Sequence, residues 1–202
     1  MIHFGREITG EFDSAARREW LVTNGLGGWA SGTVSGANTR RYHGLFVPAL
    51  QPPLGRTVLV SQLNERARVG EQVFALSSNE YGDGTLDPHG YQNIESFWLD
   101  GLIPTWTFAL NDALLEKRVW MPHGQNTTFA AYTLRRATRP LALEILVMVT
   151  SRDAHVETRG GGWQPEVEAV EGGARVRTGA VEFQLLANRG SFTPVREWHW
   201  NV

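Results

Sequence analysis

The sequence predicts an all-β protein, a large antiparallel β-sandwich with few or no helices. Apolar residues recur with a period of two or in short bursts, not at helical spacing. Turn-forming residues separate these segments at short intervals. Segments of this kind pair as successive hairpins, whereas alternating strand and helix units would need long helical segments that the sequence lacks.

The strand pattern recurs along the chain from residue 56 onward. In chain order, the predicted strands are Arg56–Leu63, Glu71–Leu76, Thr105–Leu110, Leu114–Met121, Thr127–Arg135, Leu141–Thr150, Ala174–Thr178 and Val181–Leu186. Turns are predicted at Asn111–Asp112, Thr138–Pro140, Glu171–Gly173 and Thr178–Gly179. The one predicted helix is Asp13–Glu19, with an Asp or Ser cap.

The remaining segments are predicted as loops or as an unfinished end. Ser78–Tyr91 is the longest predicted loop, and Gly160–Gly162 marks a second break. The final segment, Thr193–Val202, alternates like a strand and stops without a turn. We therefore expect a single domain over residues 1–202 that is truncated at its C-terminal end, inside a larger protein.

Composition limits the partners. The 202 residues are 42% hydrophobic and 20% charged, as is typical of a soluble globular protein with one core. The formal net charge is -2, so the basic surface expected of a nucleic-acid-binding protein is absent. The sequence has no signal peptide and no apolar run near the roughly 18 residues that span a membrane, which predicts a cytoplasmic protein without membrane contact.

Metal and cofactor chemistry is not predicted. The absence of cysteine excludes disulfides, thiol nucleophiles and cysteine-based metal sites. The six histidines show no metal-ligand spacing, and no cofactor motif is present. Lys117 is the only lysine, and this bias towards arginine does not indicate a function.

The most informative segment is Glu19–Leu45. Its glycines and small hydroxyl residues let the backbone approach a ligand closely, and they lead into Arg40, Arg41, Tyr42 and His43. This combination suits a polar, uncharged ligand such as a sugar. The alternative is structural, in which the glycines serve tight turns and close packing without contacting a ligand.

A dinucleotide site is not favoured for this segment. After Gly25, Gly27 and Gly28 a dinucleotide-binding turn would open a helix, but Ala30–Asn38 is a poor helix sequence and no second βα unit follows. If Arg40 and Arg41 lie on a strand, they point in opposite directions, so at most one would face a given pocket. The other would pair with a carboxylate or contact a neighbouring domain.

The acidic residues do not define a catalytic pair. Hydrolysis of a glycosidic bond usually requires two carboxyl groups on opposite sides of that bond. The candidates are dispersed over loops and strand edges, where turn-forming or solvated roles are favoured: Glu80, Asp83, Asp87, Glu95 and Asp100. No catalytic residue is therefore assigned.

The histidines and tryptophans have two interpretations each. His89 and His123 lie in predicted turns, where they bind a ligand or are satisfied by the backbone. The tryptophans are candidates for sugar-stacking platforms or for the core: Trp98, Trp106, Trp120, Trp163, Trp198 and Trp200. The core is favoured for Trp106 and Trp120.

Two motifs carry a family resemblance. Trp20–Thr33 reads Trp-Leu-Val-Thr-Asn-Gly-Leu-Gly-Gly-Trp-Ala-Ser-Gly-Thr, and Asn38–Leu45 reads Asn-Thr-Arg-Arg-Tyr-His-Gly-Leu. The region from Arg18 to Val47 resembles the N-terminal domain of bacterial and archaeal glycogen debranching enzymes. Weaker likeness continues through Glu116–Met121, Asn126–Thr127 and Trp200–Val202.

The resemblance implies a sandwich similar to the galactose mutarotase fold, placed before an (α/α) barrel. It implies amylo-α-1,6-glucosidase activity for the whole enzyme. The general acid and base of such enzymes belong to the barrel, which this chain lacks. We therefore expect an accessory domain whose partners are an α-glucan, such as glycogen or branched maltooligosaccharides, and the barrel of the same enzyme.

The residues expected to contact substrate or the barrel come from these two motifs: Asn24, Gly25, Gly27, Gly28, Asn38, Arg40, Arg41, Tyr42 and His43. Two other functions remain as alternatives. One is a stand-alone carbohydrate-binding module. The other is an aldose epimerase, which would need a His and Glu pair facing one cleft.

Overall fold

The computed structural model describes residues 2–157 and 164–195. The described residues form two compact units, 2–157 and 164–195, and each is described by itself. The expectation of one domain over residues 1–202 stays a prediction. No helix within the described ranges has the length and hydropathy that crossing a membrane requires.

The first unit is built almost wholly of strands. Its elements are β1 (His3–Phe4), α1 (Arg6–Thr9), α2 (Phe12–Ala16), β2 (Glu19–Thr23), β3 (Trp29–Thr33), β4 (Gly44–Val47), β5 (Ala49–Gln51), β6 (Leu54–Val69), β7 (Gln72–Ala75), β8 (Ser78–Glu80), β9 (Leu86–His89), a 3₁₀ helix (Gly90–Asn93), β10 (Ile94–Asp100), β11 (Ile103–Leu110), β12 (Ala113–Trp120), β13 (Phe129–Arg136) and β14 (Leu141–Asp153).

Two antiparallel sheets pack against each other in this unit. Sheet 1 has the strand order β1-β10-β11-β12-β13, and sheet 2 has the order β14-β6-β4-β3-β2, with β5 and β7 also paired to β6. The core between them takes Phe97, Trp106 and Phe108 from sheet 1 and Val22 and Ala67 from sheet 2. The predicted antiparallel sandwich is confirmed.

Trp106 on β11 lies at the centre of this core. Its side chain is 4% exposed, and its ring meets those of Phe97 and Trp20 edge to face, with centroids 5.0 and 5.5 Å away. Its indole N–H donates to the Val34 carbonyl at 3.0 Å, which satisfies the one polar group that the side chain buries. Trp20 belongs to sheet 2, so the two indoles join the sheets.

A buried polar network also joins the sheets. Lys117 on β12 forms an ion pair with Glu65 on β6, and the Tyr132 hydroxyl on β13 donates to the same Glu65 oxygen at 2.6 Å. The Lys117 ammonium lies 5.6 Å from the ring centroid of Trp106 and 6.0 Å from that of Tyr132. Burial and the Glu65 carboxylate raise the pKa of Tyr132, so its hydroxyl stays protonated and remains a donor.

The predicted strands of the first unit are present, and some are longer than expected. Arg56–Leu63 is the middle of the 16-residue β6, which pairs with β14 along most of its length. The helix predicted over Asp13–Glu19 is wrong at both ends, since it spans Phe12–Ala16 and its N-cap is Glu11. Glu19 instead opens β2 and pairs with Thr33, because sheet pairing outweighs a short helical propensity.

The loop predicted over Ser78–Tyr91 is wrong. It contains the antiparallel ribbon of β8 and β9, with Ser78 opposite His89 and Glu80 opposite Leu86. Glycine and proline suggested a loop, but a ribbon of two edge strands tolerates a proline. Trp120 is also less buried than predicted and stacks on the exposed Phe129 at 5.2 Å.

The second unit contains β15 (Glu166–Val170), β16 (Gly173–Thr178) and β17 (Val181–Leu186), paired in that order. The two predicted strands are confirmed, and β15 is an additional one. Arg177 on β16 bonds Glu182 on β17 at 2.7 Å, a pairing of opposite charges across neighbouring strands. The predictions for Gly160–Gly162, Trp163, Trp198 and Trp200 fall outside the described residues, and Thr193–Val195, the described start of the last predicted strand, are not in a strand.

Replacing Trp106 with alanine should lower the free energy of unfolding of the first unit by about 3–5 kcal/mol, because a large ring is removed from between the sheets. Urea unfolding followed by circular dichroism measures the loss. Trp98→Ala is the matched control, since Trp98 is only partly buried on neighbouring β10 and should cost roughly half as much. Equal losses in the two variants would contradict the central role of Trp106.

Candidate functional site

Asn24 organises the loop between β2 and β3. Its side chain is wholly buried, and its Oδ1 accepts the N–H groups of Leu26 at 2.9 Å and Gly28 at 3.0 Å. Its Nδ2 donates to the Gln125 carbonyl at 3.0 Å and to Asn126 Oδ1 at 2.8 Å. An amide has two donor hydrogens and two acceptor lone pairs, so all of its hydrogen-bonding capacity is used inside the domain.

The turn after β12 completes this arrangement. Gly124 N–H donates to the Asn24 carbonyl at 2.7 Å, and Asn126 Nδ2 donates to the Ala49 carbonyl at 3.1 Å. These bonds connect a loop of sheet 2 to a turn of sheet 1. We call residues 24–28 with residues 122–126 the asparagine clamp.

The glycines of the clamp pack against the protein's own chain. Gly25 has φ +75°, and a Cβ there would lie 2.5 Å from Nε2 of His123, whose ring covers it. Gly27 has φ +94°, and a Cβ would lie 2.8 Å from the Pro53 carbonyl oxygen. A Cβ on Gly28 would lie 2.9 Å from the Val47 carbonyl oxygen. These three glycines therefore allow a close approach between neighbouring segments of the same domain.

Trp29 and Arg56 connect the clamp to the second motif. The Arg56 guanidinium donates to the Gly27 carbonyl at 3.1 Å and lies 5.9 Å from the Trp29 ring centroid. The Trp29 indole N–H in turn donates to the Tyr42 carbonyl at 3.0 Å. The two motifs thus form one continuous structure.

His43 is the buried anchor of the turn formed by residues 39–43. Its Nδ1 accepts the Thr39 N–H at 3.0 Å, and its side chain is 3% exposed. In the neutral ring the proton therefore resides on Nε2, which lies 3.5 Å from Glu19 Oε1. Burial lowers the pKa of His43 and Arg40 adds to this, although Glu19 opposes both effects.

The two arginines of the turn point to different partners. Arg40 Nε lies 2.7 Å from Glu19 Oε1, so it pairs with a carboxylate. The Arg41 guanidinium lies 5.0 Å from the ring centroid of Tyr42, and both side chains are exposed. The turn therefore presents Arg41 and Tyr42 outward while His43 holds it from beneath.

Residues from the end of β14 support the exposed pair. Arg152 Nη2 donates to the Arg41 carbonyl at 2.6 Å. His155 meets the Tyr42 ring edge to face at 5.6 Å, and its Nδ1 lies 3.4 Å from the Tyr42 hydroxyl. We call Arg41, Tyr42 and His155 the exposed turn surface. Sequence reasoning missed Arg152 and His155, because they lie more than a hundred residues from the turn and carry no motif of their own.

The other predicted residues do not join this surface. Asn38 donates to the Ser61 carbonyl at 3.1 Å and is partly buried, and the ring of His89 packs 6.2 Å from that of Tyr91. Three carboxylates have local partners: Asp83 accepts the Thr85 N–H, Glu95 pairs with Arg6 and Asp100 with Arg118. Within the described ranges, no group of three His, Asp or Glu side chains could hold a metal ion.

Family comparison accounts for both motifs. The sequence matches the family described as glycogen debranching enzyme N terminal over residues 18–202. The chain belongs to this family. The match covers the asparagine clamp and the exposed turn surface as well as the second unit.

Comparisons with curated proteins and with solved structures gave no match. The resemblance to the galactose mutarotase fold therefore stays a prediction, while the antiparallel sandwich itself rests on the coordinates.

Replacing Asn24 with alanine should destabilise the first unit by about 2–4 kcal/mol, because buried N–H and carbonyl groups lose their partners. Asn38→Ala is the matched control and should cost about 1 kcal/mol, since one hydrogen bond is described for that side chain. Urea unfolding measures both. Equal losses would show that the clamp contributes nothing beyond an ordinary hydrogen bond.

The free energy of unfolding should fall as the pH is lowered, because His43 is harder to protonate in the folded state than in the unfolded chain. Its folded-state pKa lies below the usual 6.5, so in that window the unfolded chain binds more protons than the folded one. The contribution of His43 is therefore fully present above pH 6.5 and is lost as the pH falls from 6.5 towards the folded-state value. Unfolding free energies of the wild type and of His43→Gln, measured from about pH 8 to about pH 5, isolate this contribution. Identical pH profiles would refute it.

Proposed function

We propose that this protein is an accessory domain of an enzyme that hydrolyses α-1,6 branch points of glycogen or a related α-glucan. Family membership supports the enzyme class. The five carboxylates considered above are dispersed, and three of them have local partners, which favours an accessory role for this domain. The catalytic general acid and general base would then come from the helical-barrel domain of the same enzyme. The cytoplasmic location stays a prediction.

The exposed turn surface is the proposed contact with glucan beside the catalytic barrel. The observation that supports this is the Arg41–Tyr42 pair, in which the guanidinium lies over the aromatic ring. The pair is exposed, although the residues that hold its turn in place are buried or hydrogen-bonded. A guanidinium offers several N–H donors to sugar hydroxyls, and an aromatic ring offers a flat apolar face. Because the clamp and His43 fix the turn, little conformational entropy would be lost on binding.

The clamp has a different proposed role. Asn24 has no hydrogen-bonding capacity left, so we assign it and its glycines to holding the loop rather than to contacting sugar. The neighbouring hairpin of β5 and β6 exposes Leu50 by 42% and Leu54 by 65%. Exposed apolar side chains at one tip favour contact with protein, which here would be the catalytic barrel.

The epimerase alternative loses support. His43 and Glu19 are a His and Glu pair, but they lie 3.5 Å apart and contact each other, and His43 is almost wholly buried. A sugar ring would need to lie between such groups. A stand-alone carbohydrate-binding module remains the second candidate, because the exposed turn surface belongs entirely to this chain.

Substitution in the enzyme that joins this domain to its barrel tests the glucan contact. Arg41→Ala and Tyr42→Ala should each lower kcat/KM on branched α-glucan about tenfold, equivalent to about 1.4 kcal/mol, mainly by raising KM. Arg66→Ala is the matched control, since Arg66 is an exposed arginine on β6 outside this surface. Unchanged kinetics in both turn variants, with normal melting temperatures, would overturn the proposal.

Calorimetry of the chain by itself separates the two candidates. Titration with maltooligosaccharides should give no measurable binding if the surface acts only beside the barrel. Binding that disappears in Tyr42→Ala would instead favour the stand-alone module.

A further inference from the structure

Asn24 and Gly25 form the only Asn-Gly sequence among the 202 residues. This dipeptide is chemically labile, because glycine has no side chain to keep its backbone nitrogen away from the side-chain amide of the asparagine. When that nitrogen attacks the amide carbon, ammonia leaves and a succinimide ring forms. The same two residues belong to the asparagine clamp, so the clamp itself contains a site for this reaction.

The folded clamp opposes the loss of ammonia from Asn24. Both N–H groups of its side chain are used, one by the Gln125 carbonyl at 3.0 Å and the other by Asn126 Oδ1 at 2.8 Å. The reaction would break these two hydrogen bonds, and the departing nitrogen needs a proton that solvent supplies. The Asn24 side chain is wholly buried, so solvent does not reach it while the clamp is closed.

The attacking group is restrained as well. The Gly124 N–H donates to the Asn24 carbonyl at 2.7 Å and thereby fixes the peptide group between Asn24 and Gly25. The ring of His123 lies against Gly25, since a Cβ on this glycine would lie 2.5 Å from His123 Nε2. The nitrogen of that peptide group is the nucleophile, so the clamp restricts the motion of both reacting groups.

We propose that Asn24 is a deamidation site that the native clamp protects and that unfolding makes reactive. In the open chain the Gly25 nitrogen loses its proton and bonds to Cγ of Asn24, while the Cγ–Nδ2 bond breaks and Nδ2 leaves as ammonia. Water then opens the succinimide at either of its two carbonyl carbons, which gives aspartate or isoaspartate. Water is consumed and ammonia released, so the reaction needs no oxidant, reductant or cofactor.

Both products are incompatible with the clamp. Aspartate has an oxygen in place of Nδ2, and in the native loop this oxygen would face two acceptors, the Gln125 carbonyl and Asn126 Oδ1. Rotating the Asn126 amide would not help, because its Nδ2 donates to the Ala49 carbonyl. Isoaspartate adds one carbon to the backbone of the loop. A chain modified at residue 24 therefore does not regain the native clamp, and unfolding becomes irreversible.

Comparison of the folded chain with the chain unfolded in guanidinium chloride, at the same mildly alkaline pH, tests the proposal. Peptide mapping by mass spectrometry measures the mass increase that accompanies exchange of NH for O at each asparagine. Asn24 should react about a hundredfold faster or more in the unfolded chain, because only open molecules react. Asn64 and Asn188 are internal controls that precede Glu65 and Arg189, and they should remain unmodified. Equal rates in the two states, or equal modification of the controls, would overturn the inference.

Asn126→Ala tests the protection by the clamp, since it removes a partner of Asn24 and leaves the Asn-Gly sequence intact. Deamidation of the folded variant should be about tenfold faster than in the wild type. Asn38→Ala is the matched control, because Asn38 bonds the Ser61 carbonyl outside the clamp, and its rate should not change. The same rate in Asn126→Ala as in the wild type would refute the protection. If that variant does not fold, the wild-type comparison decides.

Asn24→Asp reproduces one product of the reaction and tests its consequence. This variant should unfold at a lower denaturant concentration than Asn24→Ala, because it places a carboxylate oxygen against two buried acceptors. Failure of Asn24→Asp to fold agrees with the proposal. A variant as stable as the wild type would contradict the irreversible step, since the modified chain would then refold.

Discussion

The packing of Trp106 between the two sheets is the interaction on which the rest of this domain depends. Its indole touches Phe97 in its own sheet and Trp20 in the other, and its N–H reaches the loop at Val34. The Lys117 ammonium lies within 5.6 Å of the same ring and carries the ion pair to Glu65 across the sandwich. Apolar burial and a satisfied polar network thus act at one place. A buried ion pair is tolerated there because its carboxylate also accepts a hydrogen bond from a tyrosine hydroxyl.

The two sequence motifs have different structural roles: one holds a loop in place, and the other exposes side chains at the surface. The asparagine clamp uses all of the hydrogen-bonding capacity of Asn24 and packs three glycines against nearby segments of the same domain. It therefore connects the loop between β2 and β3 in sheet 2 to the turn after β12 in sheet 1. The turn of residues 39–43 is held from beneath by His43 and presents Arg41 and Tyr42. Adjacent residues in a single motif therefore have opposite exposure. Family membership and this division together underlie the accessory role proposed for the domain.

Much of the fold was predictable, because alternation and turn residues reflect local chemistry that every strand must satisfy. The strands predicted between residues 56 and 150 are all present, whereas β10 (Ile94–Asp100) was not predicted. The failures fall where pairing decides the outcome: Glu19 has helical neighbours but joins a sheet, and Ser78–Tyr91 looks like a loop but forms a ribbon. Of the nine predicted site residues, the sequence could not distinguish those that bond inward, such as Asn24 and His43, from those that face outward. Residue type is the same in both roles, and only neighbours distant in the chain determine burial.

The sequence by itself determined the antiparallel β fold class, the family motifs and the presence of a glycine-rich loop beside a cationic, aromatic turn. Each of these features depends on residues that are contiguous in the chain. Tertiary structure alone decided that Lys117 meets Glu65, and that Arg152 at the end of β14 and His155 just after it reach the turn. These contacts join residues from about fifty to more than a hundred positions apart. Their energies depend on the register and packing of whole sheets, which no local pattern specifies.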